Sequence, residues 1–144
     1  MPFAPGQAIS RTPANQTAIN SATYLMNGLG VISSVPCRLT PGATGRVLVI
    51  ITGDLVENAT AQTATVQLSY GTGTAPSNAG ALAGTQVGGE LAWVSLTGQL
   101  TQTFAIHQLI TGLTVNTDYW FDLNMKSSAG TIQATNVNFT AVEV

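Results

Sequence analysis

Short segments in which apolar and polar residues alternate run through this chain, and they constrain its fold more than any other feature. In TATVQLSYG, Ala64, Val66 and Leu68 alternate with threonine, glutamine and serine. This period of two is typical of a β-strand with one face on the core and the other toward water. About eight such segments lie between SATYLMNG and GTIQATNVNFTAVEV, separated by residues that favour turns. We predict an all-β fold: an antiparallel β-sandwich of about eight strands, of jelly-roll type, with an extended N-terminal arm.

The first twenty residues differ from the rest of the chain. MPFAPGQAISRTPANQTAIN contains three prolines and shows no periodicity. Such a segment is typical of an extended arm, and an arm is a candidate for reaching onto a neighbouring molecule. We therefore predict an arm over residues 1–20 and one sandwich domain over residues 21–144, a length that can bury a single core without disulfide or metal.

The composition points to surfaces that are hidden by other molecules. Charged residues make up 7% of the chain, against about 25% in a typical soluble domain, and the net charge is -2. A chain with so little self-repulsion must hide much of its surface against copies or partners, or else risk aggregation. The four basic residues are scattered, so we predict no binding to nucleic acid.

The same sequence indicates where the protein is made. No apolar run approaches the roughly 18 residues of a membrane span, and no signal peptide is visible, so we predict no membrane partner. Cys37 is the single cysteine, which fits synthesis in the cytoplasm. We predict that it is a small buried hydrophobic residue.

Groups that could carry out catalysis are sparse. His107 is the single histidine, which excludes a site with two or three histidines, and we predict that it lies on the surface or at an interface. Asp118 and Asp122 share a strand face but would stand roughly 13 Å apart, too far for an acid and base pair. A calcium site from Asp54, Glu57 and Asn58 lacks the usual dense acidic loop. We predict no enzymatic activity, no cofactor and no metal.

One strand candidate is apolar on both faces. In RVLVIITG, Val47, Val49 and Ile51 point one way, and Leu48 and Ile50 point the other. The second apolar face needs a cover, which a loop, the N-terminal arm or a neighbouring subunit would supply.

A tryptophan stands on the polar face of another strand candidate. In TDYWFDLNMK, alternation places Tyr119 and Phe121 on the core side and Trp120 beside Asp118 and Asp122. A loop of its own chain or a one-residue bulge would bury the ring, but tryptophan is also enriched at the centres of interfaces. We predict that a second subunit buries it. The predicted oligomer interface therefore consists of Leu48, Ile50 and Trp120.

The longest loop candidate is GTGTAPSNAGALAGTQVGG, from Gly71 to Gly89, and it carries no charge. Such a loop is better suited to packing on a protein than to binding an ion. Together with the arm it supplies our predicted docking residues for another protein: Pro2, Phe3, Pro5, Arg11, Pro13, Thr74, Pro76 and Asn78.

Three stretches resemble small all-β structural proteins of tailed bacteriophages: LTPGATGRVLVIITGDLVENAT, VQLSYGTGTAPSNAGALAGT and ITGLTVNTDYWFDLNMKSSAGTIQATNVNFTAVEV. The resemblance implies a jelly roll related to tumour-necrosis-factor-like (TNF-like) or C1q-like sandwiches. The resemblance implies a homotrimeric virion protein on the capsid surface or in a fibre, made in the cytoplasm of the bacterial host. LTVNTDYWFDL is also similar to the tyrosine corner of fibronectin type III domains, with Leu113, Thr117 and Tyr119 in the matching positions, although the chain is longer than such a domain.

From these observations we predict a non-enzymatic capsid decoration (cement) protein that forms homotrimers and bridges subunits of the major capsid protein. Several weak contacts made at once would hold such a trimer firmly. The alternative is a carbohydrate-binding fibre tip or lectin-like receptor-binding module, in which Tyr24, Trp93 or Trp120 would stack on sugars.

Overall fold

The computed structural model describes residues 6–32, 36–97 and 100–144 and confirms the all-β prediction. The strands are β1 (Ala8–Arg11), β2 (Leu25–Met26), β3 (Arg38–Leu39), β4 (Val47–Glu57), β5 (Thr63–Thr72), β6 (Thr85–Val94), β7 (Thr101–Ile110), β8 (Tyr119–Ser127) and β9 (Ile132–Glu143). A single 3₁₀ turn, Leu29–Val31, is the one helical element of the described ranges. The segments predicted from alternation correspond to β2 through β9, and β1 lies in the predicted arm.

The strands form two antiparallel sheets. Sheet I has the order β1-β9-β4-β7, and sheet II has the order β2-β8-β5-β6, with β3 also paired to β8. After the β5–β6 hairpin the chain alternates between the sheets, so most neighbouring strands are far apart in sequence. This is the crossing pattern of a jelly roll.

The core lies between the inner faces of the two sheets, as alternation predicts. Val49 and Ile51 of β4 and Leu123 of β8 are fully buried. The rings of Phe121 in sheet II and Phe139 in sheet I lie 5.8 Å apart and join the two layers. Each such side chain contributes about 1.5–3 kcal/mol through burial.

Cys37 belongs to this core, as predicted, and is fully buried. Burial raises the pKa of its thiol to about 12. The side chain therefore packs as a small apolar group rather than as a reactive thiolate.

The predicted arm lies on its own chain over its described part. Strand β1 pairs with β9, from Ala8 opposite Val142 to Arg11 opposite Phe139. Ile19 is 1% exposed and exchanges backbone hydrogen bonds with Ile132. Residues 8–11 and Ile19 therefore complete sheet I and the edge of the core instead of projecting toward a neighbour.

The last strand fixes the turn that precedes β4. The carboxylate of Glu143 accepts hydrogen bonds from the backbone N–H groups of Gly42, Ala43, Thr44 and Gly45, and also from that of Gln7. Burial alone would raise the pKa of Glu143, but these donors hold it well below its usual range. One carboxylate thus ties β1, the turn and β9 together.

Candidate interaction surface

Trp120 is buried by its own chain, so the prediction that a second subunit buries it is wrong. Its ring lies against Gly71, directly across the sheet, and against Gly84, and a Cβ on either glycine would collide with it. The indole N–H donates to the carbonyl oxygen of Thr72 at 3.2 Å. Met26 packs beside it, and Trp120 is only 2% exposed.

The loop between β5 and β6 provides much of this cover. It spans residues 73–84, shorter than predicted, because β5 continues to Thr72 and β6 begins at Thr85. The backbone N–H of Met26 donates to Gly80 at 2.9 Å, and the N–H of Ala79 donates to Met26 at 2.8 Å. The loop thereby closes over the outer face of sheet II.

Polar side chains of β8 and β5 are buried on the same face of sheet II. Asp122 is fully buried and accepts hydrogen bonds from the N–H groups of Gly28 (2.8 Å), Leu29 (3.1 Å) and Leu123 (2.8 Å). Burial raises the pKa of Asp122 to about 7, against the opposing effect of these donors. Ser69, predicted to face water, is also fully buried and donates to Asn124 at 2.6 Å.

The outer face of sheet I is apolar over one part and has no cover among the described residues. Its central residues, which we call the apolar face, are Leu48, Ile50, Leu109 and Val142. In the sheet, Leu48 lies between Leu109 and Val142. Ile50 is 36% exposed and Leu109 is 39% exposed. Leu48 and Ile50 therefore point outward as alternation predicted, and their contact with another subunit stays a prediction.

His107 stands beside Ile50 on the same face. It is exposed, as predicted for a surface histidine. Thr140 occupies the other position next to Ile50, so no Asp, Glu, Lys or Arg of the described strands pairs with Leu48 or Ile50.

One side of the sandwich is open between the sheets. Strands β6 and β7 are the edge strands there, and their outer backbone groups are a template for pairing. Leu91 points toward the sandwich interior from β6 yet is 37% exposed. A cleft of about 220 Å³ lies between Gly88–Leu91 and Ala105–His107. We call Leu91 and this cleft the open edge; the sequence did not reveal it, because apolar residues occupy both faces of GELAWVSL.

The described docking residues lie on β1, on the segment that follows it and on the loop of residues 73–84. Thr74 is exposed and Pro76 is half-buried on the loop of residues 73–84. Asn78 is half-buried and its amide donates to the carbonyl oxygens of Thr17 and Asn27. Arg11 is half-buried on β1.

Pro13 is buried against its own chain, so its predicted docking role is wrong. Three further docking residues lie outside the described ranges: Pro2, Phe3 and Pro5.

The structure limits how the three aromatic residues considered for sugar stacking could bind a sugar. Trp120 has no exposed ring face, and Trp93 points into the edge of the core. The ring of Tyr24 carries the ammonium of Lys126 at 4.3 Å from its centroid, and its hydroxyl donates to Glu90. A sugar stacked on Tyr24 would have to displace Lys126 or use the opposite ring face.

Within residues 6–32, 36–97 and 100–144, no three side chains of the His, Cys, Asp and Glu types come together as metal ligands. The same part of the chain has no helix with the length and apolar character needed to span a membrane.

No protein-family model and no curated protein matches this chain. The solved structure of Eiger TNF from S. frugiperda is similar to it, with a TM-score of 0.50 over 98% of this chain and 94% of that chain. The fold is TNF-like. At 12% sequence identity the likeness concerns the fold alone. It agrees with the TNF-like jelly roll implied by the resemblance to phage proteins, and the phage origin itself stays a prediction.

The tyrosine corner, which the sequence shares with fibronectin type III domains, also occurs in this TNF-like sandwich. The hydroxyl of Tyr119 accepts a hydrogen bond from the backbone N–H of Thr114 at 3.0 Å. This is the contact of a tyrosine corner, although the fibronectin type III fold is not the fold of the chain.

Proposed function

We propose that this protein is a non-enzymatic structural protein that assembles with copies of itself into a homotrimer. The observation that carries the proposal is the apolar face of sheet I, where Ile50 and Leu109 are each more than one third exposed. A self-association that covered them would gain free energy at about 25 cal/mol per Å² of apolar area.

A second copy of the chain is favoured as the molecule that covers the apolar face, because each chain has two different exposed apolar surfaces. The apolar face is a flat patch on sheet I, whereas the open edge exposes Leu91 beside a cleft. A contact between unlike surfaces is heterologous, and it builds a ring when its rotation closes and an open filament when it does not. Three copies form the smallest such ring, which agrees with the trimer implied by the phage resemblance.

We further propose that the trimer is a capsid decoration protein that binds the major capsid protein on the surface of a virion. The support is the resemblance to small structural proteins of tailed phages, together with exposed Thr74 and half-buried Pro76 on a loop that carries no charge. A trimer would present three copies of that loop, so weak contacts with several coat subunits would combine into firm attachment.

Solution mass measured by light scattering tests the assembly step. We expect the wild-type chain to have three times the monomer mass, and Ile50→Asp to be monomeric because it places a charge on the apolar face. Thr60→Asp, in an exposed turn far from that face, is the matched control and should remain a trimer. A monomeric wild-type protein at high concentration would contradict the proposal.

Co-sedimentation with capsids that lack this protein tests the second step. We expect the trimer to sediment with them and the Ile50→Asp monomer to remain in solution. Binding to a glycan array without affinity for capsids would instead support the carbohydrate-binding alternative.

A further inference from the structure

His107 borders both of the exposed apolar surfaces described above. On the outer face of sheet I it lies directly opposite Ile50 in the β4–β7 pair, and Leu109 follows two positions later on the same side of β7. His107 also lines the cleft of the open edge, together with Leu91 and Ile106. Its side chain is exposed. A molecule that covers either surface therefore meets the imidazole.

The strand positions around His107 on the outer face of sheet I offer no partner for a positive charge. The nearest positions on β7 and β4 are all uncharged: Ala105, Leu109, Leu48, Ile50 and Thr52. Farther across the sheet, β9 and β1 present Thr140, Val142 and Ser10 on this face. A protonated imidazole at this position is therefore stabilised by water.

Arg46 and Asp54 are the charged residues of the described chain that lie nearest to His107 on this face. Each stands four positions along the chain from the residue opposite His107, roughly 13 Å in opposite directions. This distance exceeds the Debye length at physiological ionic strength, and the two charges have opposite signs, so their effects on the imidazole are small and oppose each other. Asp54 also accepts hydrogen bonds from Thr103 and Asn136, each at 2.9 Å.

Glu90 lines the cleft as well, but its carboxylate is bound on the other side of the sandwich. It accepts a hydrogen bond from the hydroxyl of Tyr24 and lies 3.5 Å from Nζ of Lys126. Lys126 lies opposite Thr65, on the outer face of sheet II. The hydrogen bond from Tyr24 holds the pKa of Glu90 below its usual range, with a smaller effect of the Lys126 charge. The carboxylate therefore neither faces the imidazole nor titrates with it.

We propose that protonation of His107 regulates the self-association of this protein, so that chains associate while the imidazole is neutral and separate when it carries a proton. The inference rests on the proposed self-association and adds its regulation. Histidine is the side chain whose charge changes between pH 5 and pH 8. A charged imidazole that loses its water against an apolar surface, without gaining an anion, is costly. Protons therefore bind the free chain more tightly than the associated chain, and acid favours the free chain.

The expected effect follows from the proton that must be lost on association. A typical imidazole in water is about nine-tenths protonated at pH 5.5 and about one-tenth protonated at pH 7.5. Each contact that admits only the neutral form should therefore be about tenfold weaker at pH 5.5. A ring with three such contacts should have an overall dissociation constant about a thousandfold higher at pH 5.5.

Sedimentation equilibrium of the full-length protein at pH 7.5 and pH 5.5, at one ionic strength, tests the inference. His107→Gln is neutral at both pH values and should associate equally at both. His107→Lys is charged at both and should associate weakly at both. Thr60→Lys adds the same charge in an exposed turn at the far end of β4, so it should follow the wild type. His107→Gln retains Asp122, whose raised pKa lies in the same range, and thereby separates its titration from that of the imidazole.

The outcomes distinguish this regulation from the assembly itself. Equal wild-type dissociation constants at the two pH values, or the full wild-type dependence in His107→Gln, would overturn the role of His107 and leave the trimer in place. Tighter association at pH 5.5 would also overturn it, because an anionic group of the second copy would then face the imidazolium. A wild-type monomer at pH 7.5 would overturn the proposed assembly, and this regulation with it.

Discussion

The outer faces of the two sheets show opposite relations between polarity and burial. The outer face of sheet II carries Asp122 and Asn124, yet both are fully buried. The outer face of sheet I carries Ile50 and Leu109, yet both are partly exposed. Sheet II is covered because residues 73–84 and residues 26–30 lie over it, and no described segment does the same for sheet I. The polarity of a strand face therefore does not reveal whether the chain covers it, and the uncovered apolar face is where another molecule is expected.

The largest expected loss of stability follows from a substitution on the covered outer face of sheet II. Trp120→Ala should lower the free energy of unfolding by about 3–5 kcal/mol, because it leaves a cavity between Gly71 and Gly84. Chemical denaturation at a concentration where the protein is monomeric measures this loss. If the variant lost its assembly but kept its monomer stability, the ring would belong to an interface after all.

The next largest effect on stability is expected from the titration of Asp122, on the same outer face of sheet II. The pKa of Asp122 is raised by burial to about 7, above its usual value of about 3.9. Its contribution to stability is therefore complete below about pH 4 and is lost as pH rises through 7. Between pH 5 and pH 8 we expect a loss on the order of 2 kcal/mol, seen as a lower urea midpoint.

Asp122→Asn is the control for that titration, and its midpoint should fall by less over the same range, because the variant retains Glu57, whose pKa is also raised by burial. Glu143 does not interfere, because its pKa lies below its usual range and its contribution is constant above about pH 5. Equal wild-type midpoints at pH 5 and pH 8 would show that the three N–H donors keep Asp122 ionised throughout.

The smallest effect on monomer stability is expected on the uncovered face. Leu109→Ser should change the free energy of unfolding of the monomer by about 0.5 kcal/mol or less, because the side chain is already partly in water. The same substitution should weaken self-association measurably by analytical ultracentrifugation. A large loss of monomer stability without any change in association would place Leu109 in the core of a single chain.

Some features of the fold were predictable because they depend on neighbours along the chain. Alternation in TDYWFDLNMK correctly placed Tyr119 and Phe121 in the core. Alternation in RVLVIITG correctly placed Leu48 and Ile50 on the opposite face from Val49. β1 was missed because proline and polar residues flank it and it has only four residues. Its one strand partner, β9, is more than a hundred residues away along the chain.

The candidate sites were less predictable. Leu91 escaped notice because GELAWVSL is apolar on both faces, so alternation does not say which face lies inward. Leu91 carries no local pattern that distinguishes it.

The sequence by itself determined strands β2 to β9, the turns between them and the residues that share each strand face, because the backbone of an extended chain alternates its side chains with a fixed period. Only the tertiary structure decided which faces are covered. The loop that buries Trp120 lies more than thirty residues away along the chain, and pairing at such distances depends on the packing of the whole sandwich.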